Sequence, residues 1–96
     1  MESANNDRGE IIRVRIKYLS AVRDRTGRKA EEIQLPEGAT LADVESWVRS
    51  RHSLSPRDSS IMATLNGRGW SQFPEKFGKR LADGDVIALF PVLSGG

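Results

Sequence analysis

The residues best placed to do chemistry stand at the C-terminal end, in the run Val86-Ile87-Ala88-Leu89-Phe90-Pro91-Val92-Leu93-Ser94-Gly95-Gly96. A hydrophobic pattern runs almost to the last residue and then gives way to two glycines, whereas most chains end in polar, loosely held residues. Glycine has no Cβ and a permissive backbone. A Gly95-Gly96 tail led by the small Ser94 is therefore narrow enough to enter a channel that excludes bulkier residues. The group such a tail presents is the carboxylate of Gly96. A bare Gly-Gly is also what a loose end looks like, so the residues ahead of it carry the argument.

Nothing else in the chain competes as a reactive centre. There is no cysteine, which excludes a disulfide scaffold, a thiolate metal site and a cysteine nucleophile. The single histidine, His52, cannot build a metal cluster, so no metal site is expected. At the end of a helix it reads as a partner of the helix dipole rather than a catalyst. Arg13, Arg15 and Lys17 alternate along a strand and read as a solvated sheet face, since no aromatic platform for nucleic acid accompanies them. Arg23, Arg25, Arg28 and Lys29 lack the glycine spacing of a phosphate loop. Trp47 reads as the edge of a helix core stripe. Trp70 and Phe73 read either as packing beneath a long loop or as a partner-binding patch, with the first favoured.

These features have to be positioned by a small scaffold. Ninety-six residues make one domain, and 38% hydrophobic with 29% charged residues is a globular composition. The net charge of +2 does not by itself call for nucleic acid, and no nucleic-acid-binding signature accompanies it. No apolar run is long enough for a membrane helix. The polar stretch 1–9 (MESANNDRG) has no apolar core of a secretory signal and reads as a disordered leader. A cytoplasmic location is expected, with a domain over 10–91 and a flexible tail over 92–96.

Residues 10–18 alternate with period two and predict a strand that buries Ile12, Val14, Ile16 and Tyr18. Residues 19–29 read as a connector in which Leu19 and Val22 tuck against the core and Thr26-Gly27 reverses the chain. Residues 30–35 predict a second strand, closed by Pro36 and paired antiparallel to the first. Thr40 to His52 is the one clear helix. Thr40 caps it, Asp43 takes the capping-box position, and Leu41, Val44, Trp47 and Val48 form its apolar stripe. Residues 61–65 predict a strand with Ile61, Ala63 and Leu65 inward, followed by an Asn66-Gly67 turn. Residues 68–80 are irregular, with room for a very short edge strand. Residues 81–85 turn tightly, and 86–90 form the last strand, apolar on both faces. Pro91 is expected to take that strand out of the sheet.

This order predicts an α+β fold, a ubiquitin-like β-grasp. Its mixed sheet has four to five strands, with one main helix packed on one face; by analogy with ubiquitin-like proteins, the last strand is expected beside the first. The helix stripe covers Ile87 and Leu89. Phe90 and Ala88 then point the opposite way and, with Pro91 and Leu93, are the candidate partner-binding residues.

The blocks Leu65-Asn66-Gly67, Leu81-Ala82-Asp83-Gly84-Asp85 and Val86 to Pro91, closed by Ser94-Gly95-Gly96, resemble the MoaD/ThiS family of ubiquitin-like sulfur carriers. The likeness is strongest to the small subunit of molybdopterin synthase. Leu19 to Arg23 and Thr26-Gly27 fit the same pattern, and the resemblance covers roughly residues 11 to 96. Where that subunit usually has two prolines, this chain has Pro91-Val92. The resemblance implies that Gly96 is adenylated by an ATP-using, ubiquitin-activating-like enzyme and converted to a thiocarboxylate, with Gly95 and Ser94 threading the partner's channel. It implies a sulfur donor such as a cysteine desulfurase or rhodanese-like protein, and the large subunit of molybdopterin synthase as a further partner. It implies no permanently bound cofactor and no independent active site. The alternatives are a thiamine-type or other sulfur carrier, a protein modifier joined to lysine through Gly96, and a plain β-grasp interaction module.

Overall fold

A computed structural model describes residues 10–92. Strand β1 (Ile11–Tyr18) alternates strictly between exposed and buried residues along its whole length. Its cations face solvent, and Ile12, Val14, Ile16 and Tyr18 enter the core. Strand β2 (Ala30–Pro36) pairs antiparallel to β1, with Val14 opposite Ile33 and Ile16 opposite Glu31. Strand β3 (Ile61–Leu65) buries Ile61, Ala63 and Leu65, as its alternation predicts. A two-residue strand, β4 (Arg68–Gly69), follows the Asn66-Gly67 turn, where both residues take positive φ. Strand β5 (Val86–Pro91) completes a five-stranded sheet of order β2-β1-β5-β3-β4. β5 runs parallel to β1 and antiparallel to β3. The last strand therefore lies in the middle of the sheet, beside the first.

Between β1 and β2 the structure corrects the expected connector. Residues Ser20–Thr26 form a short helix, α1, closed by Gly27 in the left-handed conformation, whose N–H bonds to Arg23 O at 2.8 Å. Only Val22 of this helix is buried, and Leu19, expected to tuck inward, is 44% exposed. A helix of two turns with one buried residue has no apolar stripe for a period to reveal.

The main helix, α2 (Leu41–His52), begins where the capping residues place it: the Thr40 N–H donates to Asp43 Oδ2 at 2.8 Å. Leu41, Val44 and Val48 are fully buried and share one core cluster with Ile87 and Leu89 of β5 and Ile16 of β1. Trp47 packs at the edge of that cluster. Residues 70–78 contain two single turns of 3₁₀ helix, Trp70–Gln72 and Lys76–Gly78. Trp70 is 5% exposed and meets Phe77 edge-on at 5.4 Å, with Phe73 packed partly against the same core. This segment is packing beneath a loop, and Trp70 offers no patch to a partner.

Pro91 does not leave the sheet. It stands opposite Ile61, and the next residue, Val92, donates its N–H to Ser60 O at 2.9 Å. The ladder geometry explains why proline is tolerated. Asn66 N–H bonds to Val86 O and Val92 N–H to Ser60 O, so the even-numbered residues of β5 exchange bonds with β3. The odd-numbered residues face β1, which ends at Tyr18 opposite Leu89. Pro91 thus lacks an N–H on the side where the neighbouring strand has already stopped.

Candidate functional site

The site is built at the end of β5. Ile87 and Leu89 are fully buried beneath α2, and they fix the strand's height and rotation in the sheet. Ala88 and Phe90 emerge half-buried on the opposite face, and Pro91 is likewise half-buried. Phe90 stands opposite Met62 of β3, which is 43% exposed. Leu19, Ser20, Met62, Phe90, Pro91 and Val92 line one open groove of about 520 Å³. Leu19 at 44% and Val92 at 42% are among the most exposed large apolar side chains of the described residues. Together they form an exposed apolar cluster at the end of β5.

Of the expected site residues, Phe90, Ala88 and Pro91 fall together on this surface. Leu93, Ser94, Gly95 and Gly96 lie outside the described residues, as does the 1–9 leader. Sequence reasoning missed Leu19, Met62 and Val92 as members of the groove. The alternation in β3 already turned Met62 outward, but only the register with β5 puts it beside Phe90.

The end of β5 is held from two sides. On one, Leu19 N–H donates to Leu89 O at 3.0 Å, so the entry to α1 clasps the strand. On the other, Ser60 receives the Val92 N–H while its own N–H and hydroxyl both bond to Asp58 Oδ1 at 2.9 Å. Those bonds hold the Asp58 carboxyl below the usual range.

At the C-terminal end of α2 lies a polar cluster that the sequence did not reveal. Glu31 Oε1 accepts from the Tyr18 hydroxyl at 2.7 Å and lies 2.7 Å from His52 Nε2, while Arg28 and Arg51 reach Oε2 at 3.3 Å. Burial pushes the Glu31 carboxyl up, but the bonds from His52 and Tyr18 and the neighbouring cationic groups outweigh it, leaving the pKa lowered. Burial, followed by the bond and charge of Glu31, drives the Tyr18 hydroxyl upward. Glu45 is buried and accepts from the Ser55 hydroxyl at 2.6 Å and from Arg49 Nη1 at 2.8 Å. Its carboxyl is also lowered: burial raises it, and the Ser55 bond and the charges of Arg49 and Arg57 more than compensate. Every one of these carboxylates is partnered, and no group of three or more metal-ligating side chains exists among the described residues. Among the described residues, the groove is lined by apolar side chains and the hydroxyl of Ser20. No helix is long and apolar enough to cross a membrane among the described residues.

A sheet of this order, with one main helix across it and the last strand central, defines a ubiquitin-like β-grasp protein. The chain belongs to the ThiS family, whose model matches residues 16–96 and so includes the terminal glycines. Among solved structures, it is similar to a putative molybdopterin converting factor subunit 1 from Pyrococcus furiosus, at 28% identity and TM-score 0.71, covering 85% of this chain and 99% of that one. It is similar in fold to small archaeal modifier protein 1 from Methanosarcina acetivorans, at 20% identity and TM-score 0.70, covering 92% and 100% of the two chains. A complex of subunits 1 and 2 of molybdopterin-converting factor from Helicobacter pylori also contains this fold, at 19% identity and TM-score 0.59, covering 88% of this chain and 100% of that one. No curated protein matches the chain in sequence.

Proposed function

We propose that this protein is a cytoplasmic sulfur carrier, serving molybdopterin biosynthesis, with the Gly96 carboxylate as its working group. A carboxylate is a poor electrophile. An ATP-using, ubiquitin-activating-like enzyme overcomes this by joining the carboxylate oxygen to the α-phosphorus of ATP, with loss of pyrophosphate. A persulfide sulfur from a cysteine desulfurase or rhodanese-like donor then attacks the acyl carbon and AMP leaves. A further thiol of the partner system cleaves the sulfur–sulfur bond, forming a disulfide on the partner side and leaving a thiocarboxylate on Gly96. The carrier itself needs no cysteine, metal or bound cofactor for these steps, since the partners supply them. Its contribution is a rigid domain, a narrow Ser94-Gly95-Gly96 tail and the Phe90 groove that docks partners, the large subunit of molybdopterin synthase among them.

The observation that carries this reading is the family match running through residue 96. A second reading, conjugation of Gly96 to a lysine of another protein, uses the same activated tail and shares its fold with the archaeal modifier. Intact-mass and peptide mass spectrometry of protein isolated from its own cells separates them. One oxygen of the Gly96 carboxylate replaced by sulfur is the expected result. Lysine-linked peptides ending in Gly95-Gly96 would favour the modifier, and unmodified carboxylate alone, in cells making molybdopterin, would contradict both. Molybdopterin production in cells lacking the gene tests the pathway: its retention would redirect the reading to a thiamine-type or other carrier.

A further inference from the structure

The outer face of the sheet is divided lengthwise. On β5 it presents Val86, Ala88 and Phe90, continued on β3 by Met62 opposite Phe90. On the adjoining β1 it presents Arg13, Arg15 and Lys17, all exposed. The parallel register sets Arg15 beside Val86 and Lys17 beside Ala88, so the cations stand one strand spacing from the apolar row. That spacing is about 4.8 Å, and three alternate residues extend the charge over roughly 13 Å. Exposed carboxylates beside this row are Glu32, opposite Arg15, and Asp83, whose Oδ1 accepts the Arg13 backbone N–H at 2.8 Å; among the described residues no ion pair within 4.0 Å links either to the Arg13, Arg15 or Lys17 side chains. Four arginines elsewhere are paired with carboxylates: Arg28 and Arg51 with Glu31, Arg49 and Arg57 with Glu45.

We infer that the surface that docks on the Phe90 groove is a protein surface on which a row of carboxylates borders an apolar patch, and that Arg15 and Lys17 are the residues that steer and align it. The inference depends on the proposed reading only in that the activating enzyme is taken as such a partner. Charge complementarity favours this occupant. A purely apolar partner would cover the rim without offering a carboxylate to Arg13, Arg15 or Lys17. A nucleic acid would meet a face whose centre is apolar and on which, among the described residues of β1, β3 and β5, the one outward aromatic side chain, Phe90, is half-buried. Exposed charges flanking an apolar contact act mainly on the rate of encounter and on register, and their effect is screened by salt.

The test is the association rate of the full-length protein with the source organism's ubiquitin-activating-like adenylating enzyme, measured by stopped flow between low and high sodium chloride. For the unaltered protein the rate should fall about tenfold over that range, as electrostatic steering requires. The double variant Arg15→Glu/Lys17→Glu should associate about tenfold more slowly at low salt and lose most of its salt dependence. The milder Arg15→Gln/Lys17→Gln should fall between, with circular dichroism confirming that both remain folded. ATP–pyrophosphate exchange at saturating carrier should persist in both variants while KM rises. A salt-independent rate, or charge reversal without effect, would overturn the inference and leave the function intact. Loss of binding to a single-stranded RNA oligomer in these variants, with enzyme association unchanged, would overturn it in favour of nucleic acid. Absence of exchange with the unaltered protein would overturn the proposed function as well.

Discussion

Where the β1–β5 pairing ends, at Tyr18 and Leu89, the two faces of the sheet behave in opposite ways. At the C-terminal end of α2, polar groups go inside: Glu31 and Glu45 are almost covered, and each is met by several donors. At the end of β5, apolar groups stay outside: Leu19, Met62 and Val92 are each more than two-fifths exposed around Phe90. A buried carboxylate left unpartnered would cost several kcal/mol, so a fold must complete such a cluster or lose it. An exposed apolar groove costs the monomer little, yet it gains free energy only when something covers it. The first region explains how the domain holds together, and the second is the surface that the proposed partner would cover. The buried indole of Trp70, whose Nε1 meets no acceptor among the described residues, is an exception to the full pairing, and its edge-on contact with Phe77 is the nearest compensation.

The comparison is broken most severely inside the core beneath the groove. Leu89→Ala should destabilise the fold by about 2–5 kcal/mol, the range for a fully buried leucine truncation. Urea denaturation measures it, and a loss below about 1 kcal/mol would mean that β5 is not seated as described.

Next in size is the polar cluster. Glu31→Ala leaves the Tyr18 hydroxyl buried without its acceptor and should cost about 1–3 kcal/mol at neutral pH. The pH dependence follows from the lowered Glu31 carboxyl. A carboxyl whose folded pKa lies below its unfolded value contributes stability above the unfolded pKa and loses it as pH falls through the folded one. The gap between parent and variant should therefore narrow as pH drops below about 4. Glu45 titrates in both proteins and cancels from the difference. A gap that stays constant into acid would show that the Glu31 charge contributes nothing.

Phe90→Ala should reverse the pattern of Leu89→Ala. Half-buried in the free protein, Phe90 should cost the fold little, while partner affinity falls by about tenfold to a hundredfold, the equivalent of roughly 1.5–3 kcal/mol of apolar burial. Parallel denaturation and binding titrations decide it. Unfolding by Phe90→Ala alongside mere weakening of binding by Leu89→Ala would invert the assignment of the two faces. The smallest effect on the fold belongs to Gly95→Val. Its melting temperature should match the parent within error, while activation is blocked by a stiff, β-branched side chain in the tail. Unimpaired activation would remove the glycine requirement.

Much of this was legible in the chain. Alternation in 10–18 and 61–65 identified β1 and β3 with their inward faces, and Thr40, Asp43 and the Leu41-Val44-Val48 stripe identified α2. Apolar residues on both faces of 86–90 pointed either to a central strand or to a face covered by a partner, and set Phe90 and Leu89 on opposite faces. What stayed hidden depends on register across distant strands. Tyr18 and Glu31 are 13 positions apart, and Glu31 and His52 are 21 apart, so no local pattern joins them. Met62 enters the groove only because β3 runs antiparallel to β5 with Phe90 opposite it. Helix α1 was hidden because it buries a single residue.

The central claim is that the domain exists to present the Gly96 carboxylate at a fixed reach beyond the Phe90 groove. ATP–pyrophosphate exchange with the cognate adenylating enzyme tests it most directly, comparing the protein with a variant carrying one alanine after Gly96. The account predicts that exchange is abolished in the extended variant while its fold and melting temperature are unchanged. Full exchange by the extended variant would contradict it.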